Sequence, residues 1–186
     1  LIKESIPLNE GCLQDIEILI PKKSMLNPSY PAPVVAGNVE TSQSIIDLLN
    51  TSTNIQAACY GTMSNLTFGD KNFGYYETIC GGEGASKGNH GADAVHCHMT
   101  NTSITDVEIL EWNYPVRLNR FLIRPNSGGS GQWKGGNGTI REIVFLKNLT
   151  VTILSNRRKF HPKGIKGGKN GKKGFDIIIK SQNSKK

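Results

Sequence analysis

The residues of this sequence that are best suited to chemistry are concentrated between positions 90 and 102. This stretch holds three histidines, one aspartate and a Thr-Asn-Thr run: His90, Asp93, His96, His98 and Thr100-Asn101-Thr102. If residues 94–99 are extended, His96 and His98 share one face, because strand side chains repeat every two residues. Their Cα atoms would then be about 6.5–7 Å apart, so both imidazoles could reach one metal ion. Asp93 and His90 could add ligands or orient them.

The same stretch is also compatible with a role that needs no metal. A His-x-His pair on a strand is a common pattern, and a Thr-Asn-Thr run can stabilise a turn through side-chain hydrogen bonds to the backbone. A polar network that supports the fold or positions a substrate therefore stays open beside the metal site. On a strand, Cys97 would face away from both histidines, which argues against a Cys-His nucleophilic pair.

Glycine-rich loops are the second candidate feature, and none of them matches a nucleotide-binding motif. The run at 81–84 follows a predicted strand but lacks the G-x-G-x-x-G spacing. The run at 164–173 lacks both the spacing and the Ser/Thr of a P-loop. The sequence therefore predicts no ATP site formed by this chain alone. The Ser127–Gly131 loop is expected to form a turn rather than an anion-binding nest.

The elements that must position these residues are mostly strands. Runs rich in β-branched and aromatic residues predict strands at 16–20, 75–79, 107–112, 116–123, 139–146, 149–154 and 175–179. Lys147-Asn148 is a candidate hairpin turn. A helix is predicted around Ile45, Leu48 and Leu49, which fall at i, i+3 and i+4. The predicted fold class is a β-dominated α+β fold, with glycine-rich strands and turns and one or two short helices.

Length and composition are those of a globular chain. The 186 residues are 37% hydrophobic and 20% charged, and no apolar run approaches the roughly 18 residues of a membrane span. The sequence has neither a starting Met nor the order of regions typical of a signal peptide, so we expect a processed product or a piece of a longer chain. The four cysteines form no CxxC pair and predict reduced, buried thiols in a cytoplasmic protein.

The charge of the chain is concentrated at its end. Residues 157–186 hold eleven Lys or Arg and a single acid, Asp176, whereas residues 1–156 are slightly acidic. This basic tail contains no aromatic residue between Phe160 and Phe175 on which bases could stack, and its glycines indicate turns. The pattern therefore argues against nucleic-acid binding. An anionic ligand or an acidic partner surface stays open.

Several runs together resemble the hydantoinase B/oxoprolinase family. They extend in unbroken order from about residue 6 to about residue 175 and include Tyr75-Tyr-Glu-Thr-Ile-Cys-Gly-Gly-Glu-Gly-Ala85, His96-Cys-His-Met-Thr-Asn-Thr102, Tyr114-Pro-Val-Arg117 and Asn156-Arg-Arg158. The resemblance implies that residues 1–186 are a carboxy-terminal fragment of a B module, with 157–186 as its basic tail. Within the family, the 5-oxoprolinases are the most similar group.

The resemblance also implies an activity, a cofactor and partners. Such enzymes open a lactam or hydantoin ring, and the 5-oxoprolinases convert 5-oxoproline to glutamate with hydrolysis of ATP. ATP and a divalent metal are expected in the complete enzyme, neither bound wholly by this fragment, together with an A module, an oligomeric assembly and no nucleic acid or membrane. The alternatives are the B-type component of a hydantoinase or ketone carboxylase, and a non-catalytic interaction module.

The site residues that the resemblance implies are His96, His98, Thr100 and Asn101, which would line or shape the active-site region. Most metal-binding His and Asp residues of B modules are expected upstream of the region present here. Within this chain, the metal candidates are His96, His98 and Asp93.

Overall fold

A computed structural model describes residues 9–14, 16–34 and 37–180, and its contacts divide the chain into two units, residues 1–35 and 36–186. In the first unit, a 3-10 helix at Glu10–Leu13 begins at Asn9, whose side-chain oxygen accepts a hydrogen bond from the Gly11 N–H at 2.9 Å. The strand predicted at 16–20 is wrong. These residues are exposed and, within the described part of the chain, no strand pairs with them.

The second unit begins with a π-helical turn, Gly37–Thr41, that continues into helix α1 at Ser42–Ser52. This helix confirms the prediction made from Ile45, Leu48 and Leu49, but its orientation is the reverse of the usual one. The three apolar side chains are exposed, while Gln43 and Asp47 are buried. Helix α1 therefore turns a polar face toward the rest of the unit.

Among the residues that the structure describes, five strands form two antiparallel sheets, which confirms the predicted strand-rich α+β class. The strands are β1 (Asn65–Gly69), β2 (Gly74–Thr78), β3 (Val116–Ile123), β4 (Thr139–Phe145) and β5 (Thr150–Leu154). One sheet has the order β2-β1-β5, and β3 pairs with β4 in the other. The second sheet has an irregular register between Leu118 and Arg120.

The predicted strands at 75–79, 116–123, 139–146 and 149–154 are confirmed, but their predicted connection is not. The 147–148 segment is not a hairpin turn, because β4 pairs with β3 and β5 pairs with β1. Residues 175–179 form no strand. Strand β1 was not predicted.

Helix α2 spans Val107–Asn113, where a strand was predicted. The Asp106 carboxylate caps this helix by accepting hydrogen bonds from the N–H groups of Glu108 and Ile109. An acidic cap accepts hydrogen bonds from backbone N–H groups that would otherwise lack partners. Its negative charge also interacts favourably with the positive end of the helix dipole. The helix buries Leu110 completely.

The hydrophobic core lies where α2 and the start of β3 meet the strands β1 and β2. Its buried members are Leu66, Phe68, Tyr75, Leu110 and Val116. Phe68 is at its centre, with ring centroids 4.7 Å from Tyr75 and 5.5 Å from Phe145.

The glycine-rich loops pack backbone against backbone. The Glu83 N–H donates to the Ala92 carbonyl at 3.0 Å, and the Gly136 N–H donates to the Glu83 carbonyl at 2.8 Å. A Cβ added at Gly82 would collide with the carbonyl of Gly136, so only glycine allows this approach. These loops hold the histidine-containing stretch in place.

Candidate functional site

The stretch from residue 94 to 100 is a loop with a turn, so the extended conformation on which a shared histidine face depended is wrong. Val95 makes a single bridge to Gly81, and His98 has a left-handed backbone conformation with φ of 55°. The Thr100 N–H closes the turn on the Cys97 carbonyl at 3.1 Å. As a result, His96 and His98 contact different groups on two sides of the loop.

His96 lies at a cavity of about 200 Å³, lined by Thr78, Cys80, Ala94, His96, Thr102, Ile104 and Phe121. Its Nε2 lies 3.3 Å from the Thr102 hydroxyl, and its Nδ1 lies 3.5 Å from the Tyr60 hydroxyl. Burial lowers the pKa of His96, which favours the neutral imidazole. A neutral imidazole at a small cavity can accept a proton from a bound molecule.

Thr100 is the buried residue that stabilises the loop around His96. It is buried, and its hydroxyl lies 2.6 Å from the Tyr60 hydroxyl and accepts a hydrogen bond from the Cys97 N–H at 3.0 Å. Burial raises the pKa of Tyr60, so the phenol stays protonated at neutral pH. Asn101, the next residue, is exposed.

His98 belongs to a second cluster, with Asp47 of α1 and Cys59 of the following loop. The carboxylate oxygen, the thiol sulfur and the imidazole nitrogen that could bind a metal all lie within 4.8 Å of one another. Among the described residues, this is the only group of three or more His, Cys, Asp or Glu side chains with such spacing. Asp47 and Cys59 are buried, whereas His98 is exposed.

Arg157 forms an ion pair with Asp47 of this cluster. Its guanidinium donates to one Asp47 carboxylate oxygen at 2.6 Å, while the other oxygen accepts the Cys59 N–H at 3.1 Å. A hydrogen bond with the Cys97 thiol, together with burial, raises the pKa of the Cys59 thiol. The hydrogen bond to Cys59 raises the pKa of His98. The predicted separation of Cys97 and His98 on opposite strand faces does not apply, because both lie near Cys59.

Asp93 and His90 are placed elsewhere, at a larger cavity of about 790 Å³ among the glycine-rich loops. The Asp93 carboxylate accepts hydrogen bonds from the Asn137 backbone and side-chain N–H groups at 2.6 and 3.1 Å. His90 Nδ1 accepts the Lys134 N–H at 2.8 Å. Both residues therefore fasten loops together and are not members of the His98 cluster.

Sequence reasoning missed four residues of this region: Asp47, Cys59, Tyr60 and Arg157. One signal was available for Asp47, since Gln43 and Asp47 are spaced i, i+4 and form a polar stripe on a predicted helix. Arg157 lay in a run that carried the family resemblance. Cys59 and Tyr60 gave no local signal, because their roles depend on contacts with residues about 40 positions away.

Comparison with known proteins agrees with the resemblance. The family model for hydantoinase B/oxoprolinase matches residues 1–186. The chain is 51% identical to a 5-oxoprolinase of Dictyostelium discoideum and 53% identical to 5-oxoprolinase 1 of Arabidopsis thaliana, over 97% and 96% of its length. It is 32% identical, over 90% of its length, to the B-type component of a putative D-/L-hydantoinase from a Pseudomonas species.

These matches cover only part of each relative. The chain spans 14% of the length of both 5-oxoprolinases and 30% of the hydantoinase component. None of the helices in the described residues is long and apolar enough to cross a membrane. The match of the family model to the whole chain shows that this chain belongs to the hydantoinase B/oxoprolinase family.

Proposed function

We propose that this chain is the carboxy-terminal part of a hydantoinase B module in an ATP-dependent cyclic-amide hydrolase of the 5-oxoprolinase type. The reaction consumes 5-oxoproline, ATP and water and yields glutamate, ADP and phosphate. The observation that carries the proposal is the identity of 51–53% to two 5-oxoprolinases over nearly the whole chain. The hydantoinase component, at 32% identity, supports ring opening of a hydantoin as the second candidate.

The His96 cavity supports a role for this chain near the ring. Its volume of about 200 Å³ is below the roughly 300–1,000 Å³ of pockets for drug-sized ligands, which suits one small ring. Hydroxyl groups of Thr78 and Thr102 line it beside the neutral His96 imidazole. In this proposal, His96 takes a proton from the water that attacks the ring amide. Thr100 positions the loop, and His98 and Asn101 shape its exposed side.

The nucleotide belongs to the A module in this proposal, either fused to this chain or separate from it, in an oligomeric cytoplasmic enzyme. No P-loop spacing occurs in the sequence. The basic tail would contact an acidic surface of the A module. Its two arginines already pair within the chain, Arg157 with Asp47 and Arg158 with Asp176, so among the described residues of the tail the lysines are the basic groups proposed for that contact.

A segment exchange tests the activity directly. In the D. discoideum 5-oxoprolinase, the matched segment is replaced by this chain, and 5-oxoproline-dependent ATP hydrolysis is measured. A chimera carrying the matched A. thaliana segment is the control for the exchange itself. We expect both chimeras to turn over 5-oxoproline. A folded but inactive chimera with this chain, beside an active control, would contradict the proposal, and turnover of hydantoins alone would favour the second candidate.

The role of His96 is tested in the active chimera. His96→Ala is expected to lower kcat by roughly 10²–10⁴-fold, the range typical of general acid–base groups. His161→Ala is the matched control, because this exposed histidine bonds the Gly171 carbonyl away from the cavity. Equal turnover of the two variants would remove His96 from the chemistry.

If neither the isolated chain nor the reconstituted modules hydrolyse ATP, the interaction-module alternative gains support.

A further inference from the structure

The cluster of Asp47, Cys59 and His98 has the composition of a zinc site. We propose that these three side chains bind one Zn²⁺ ion through a carboxylate oxygen, a thiolate sulfur and an imidazole nitrogen. This site lies within the present chain and is separate from the ligands expected upstream in B modules. It does not depend on the proposed function.

The donor set and its spacing carry the first step of the argument. Zinc binds Cys, His and Asp at about 2.0–2.3 Å, so tetrahedral ligand atoms lie roughly 3.3–3.8 Å apart. The three donor atoms here already lie within 4.8 Å of one another. Zinc binding therefore needs the three donor atoms to approach by about 1 Å at most, and His98, the exposed member of the group, has the most room to move. A thiolate ligand also selects zinc over magnesium or calcium, which prefer oxygen donors.

The surroundings hold two of the ligands in position. Asp47 uses one oxygen for Arg157 and the other for the Cys59 N–H, and each oxygen keeps a lone pair for a metal. Hydrogen bonds of this kind orient ligating carboxylates. The Gly61 N–H donates to the Cys59 sulfur at 3.4 Å, which helps to hold the sulfur in position.

Two buried donors without partners among the described residues belong to side chains that contact this cluster or its loop: Gln43 bonds Met99, next to His98, and Arg157 bonds Asp47. Gln43 is fully buried and its Oε1 accepts the Met99 N–H, which fixes the direction of the amide, but its Nε2 has no hydrogen-bond partner among the described residues. The Nε of Arg157 is also buried without a partner there. Such groups are rare and call for an acceptor. A water or anion on the fourth zinc position would provide one.

Backbone conformation agrees with a demanding local geometry. His98 and Arg157 both adopt left-handed φ values, 55° and 54°. Such conformations are unfavourable for non-glycine residues and are concentrated at binding and catalytic sites. Arg157 lies over Gly61, where an added Cβ would be 2.8 Å from its Nε, so a side chain at Gly61 would displace the guanidinium.

The test uses the full 186-residue chain without a histidine tag, kept reduced and freed of metal with a chelator. Zn²⁺ is added back and counted by mass spectrometry, and Co²⁺ serves as a spectroscopic probe of thiolate ligation. We expect about one ion per chain and a thiolate-to-cobalt charge-transfer band. Cys59→Ser should abolish the band, whereas Cys80→Ser, the matched thiol control at the His96 cavity, should keep it.

A second pair of variants keeps the proposal testable if Cys59→Ser does not fold. His98→Ala changes an exposed side chain and should weaken zinc binding by at least about 100-fold, beyond the 10–100-fold effect typical of outer partners. His96→Ala, two residues away, should change it by no more than about threefold. Absence of bound metal in the wild-type chain, or a cobalt band that persists in Cys59→Ser, would overturn the assignment. So would equal zinc affinities of the two histidine variants.

Discussion

Removing one partner of the buried ion pair between Glu77 and Arg141 should be among the most destabilising single changes in the chain. This ion pair joins β2 of the three-stranded sheet to β4 of the two-stranded sheet. The contact is bidentate, with N–O distances of 2.5 and 2.8 Å. Each side chain is only 3% exposed. The Tyr75 hydroxyl also donates to Glu77 at 2.9 Å, so the carboxylate is well satisfied.

Replacing Glu77 by Gln keeps the shape of the side chain and removes its charge. Arg141 then stays buried without a counter-charge, and breaking a buried pair in this way costs about 3–5 kcal/mol. Domains are usually stable by about 5–15 kcal/mol, so this is a large share. With a urea m-value of about 2 kcal/mol/M, the unfolding midpoint should fall by roughly 1.5–2.5 M.

The assay is urea unfolding of the chain followed by circular dichroism. Glu142→Gln is the matched control, because Glu142 pairs with Arg120 on an exposed face and water screens that pair. The double variant Glu77→Gln/Arg141→Met should regain most of the loss, since it leaves no unpaired buried charge. If Glu77→Gln lowers the midpoint no more than the control does, the buried pair does not join the two sheets as described.

Three further predictions follow from packing and charge. Phe68→Ala should lower the free energy of unfolding by about 3–5 kcal/mol, because the fully enclosed ring leaves a cavity, and Phe68→Leu should lose clearly less in the same urea assay. Gly136→Ala should reduce the thermal midpoint, since its Cβ would strike a carbonyl of the neighbouring loop, while Gly74→Ala has open space and should not. The Arg120 guanidinium beside Glu142 holds the pKa of that carboxyl below its ordinary value, so the contribution of the pair to stability is present above the unfolded pKa and is lost as pH falls through the folded one. Carboxyl NMR should show this low midpoint, and Arg120→Met should raise it.

The strands were predictable where a local pattern decides the structure. Strands β4 and β5 have seven and five residues, and the pattern of their β-branched residues predicts a strand and not a helix. Helix α2 was missed because its β-branched residues resemble a strand, although the Asp106 cap was visible in the sequence. The partner of each strand was not predictable from neighbours, since β5 crosses back to β1 over more than 80 residues.

The candidate site was predictable in its location and not in its geometry. The dense polar stretch around His96 predicted a candidate site on a loop, and His96 and Thr102 of this stretch do line a small cavity. The left-handed turn at His98 could not be inferred from residue types, and it separates the two histidines. Asp47 and Cys59 reach His98 only through the packing of α1 against the loops, a long-range arrangement that spacing along the chain does not encode.

The reversed orientation of α1 has a practical consequence for handling the protein. Because Asp47 and Gln43 are committed to inward hydrogen bonds, the helix cannot rotate to hide Ile45, Leu48 and Leu49 without giving up those bonds. These three side chains should therefore form an exposed apolar surface that binds fluorescent apolar dyes even when the purified chain is fully folded. Dye binding by itself would then be a misleading sign of misfolding, and preparations should be judged by their cooperative unfolding instead.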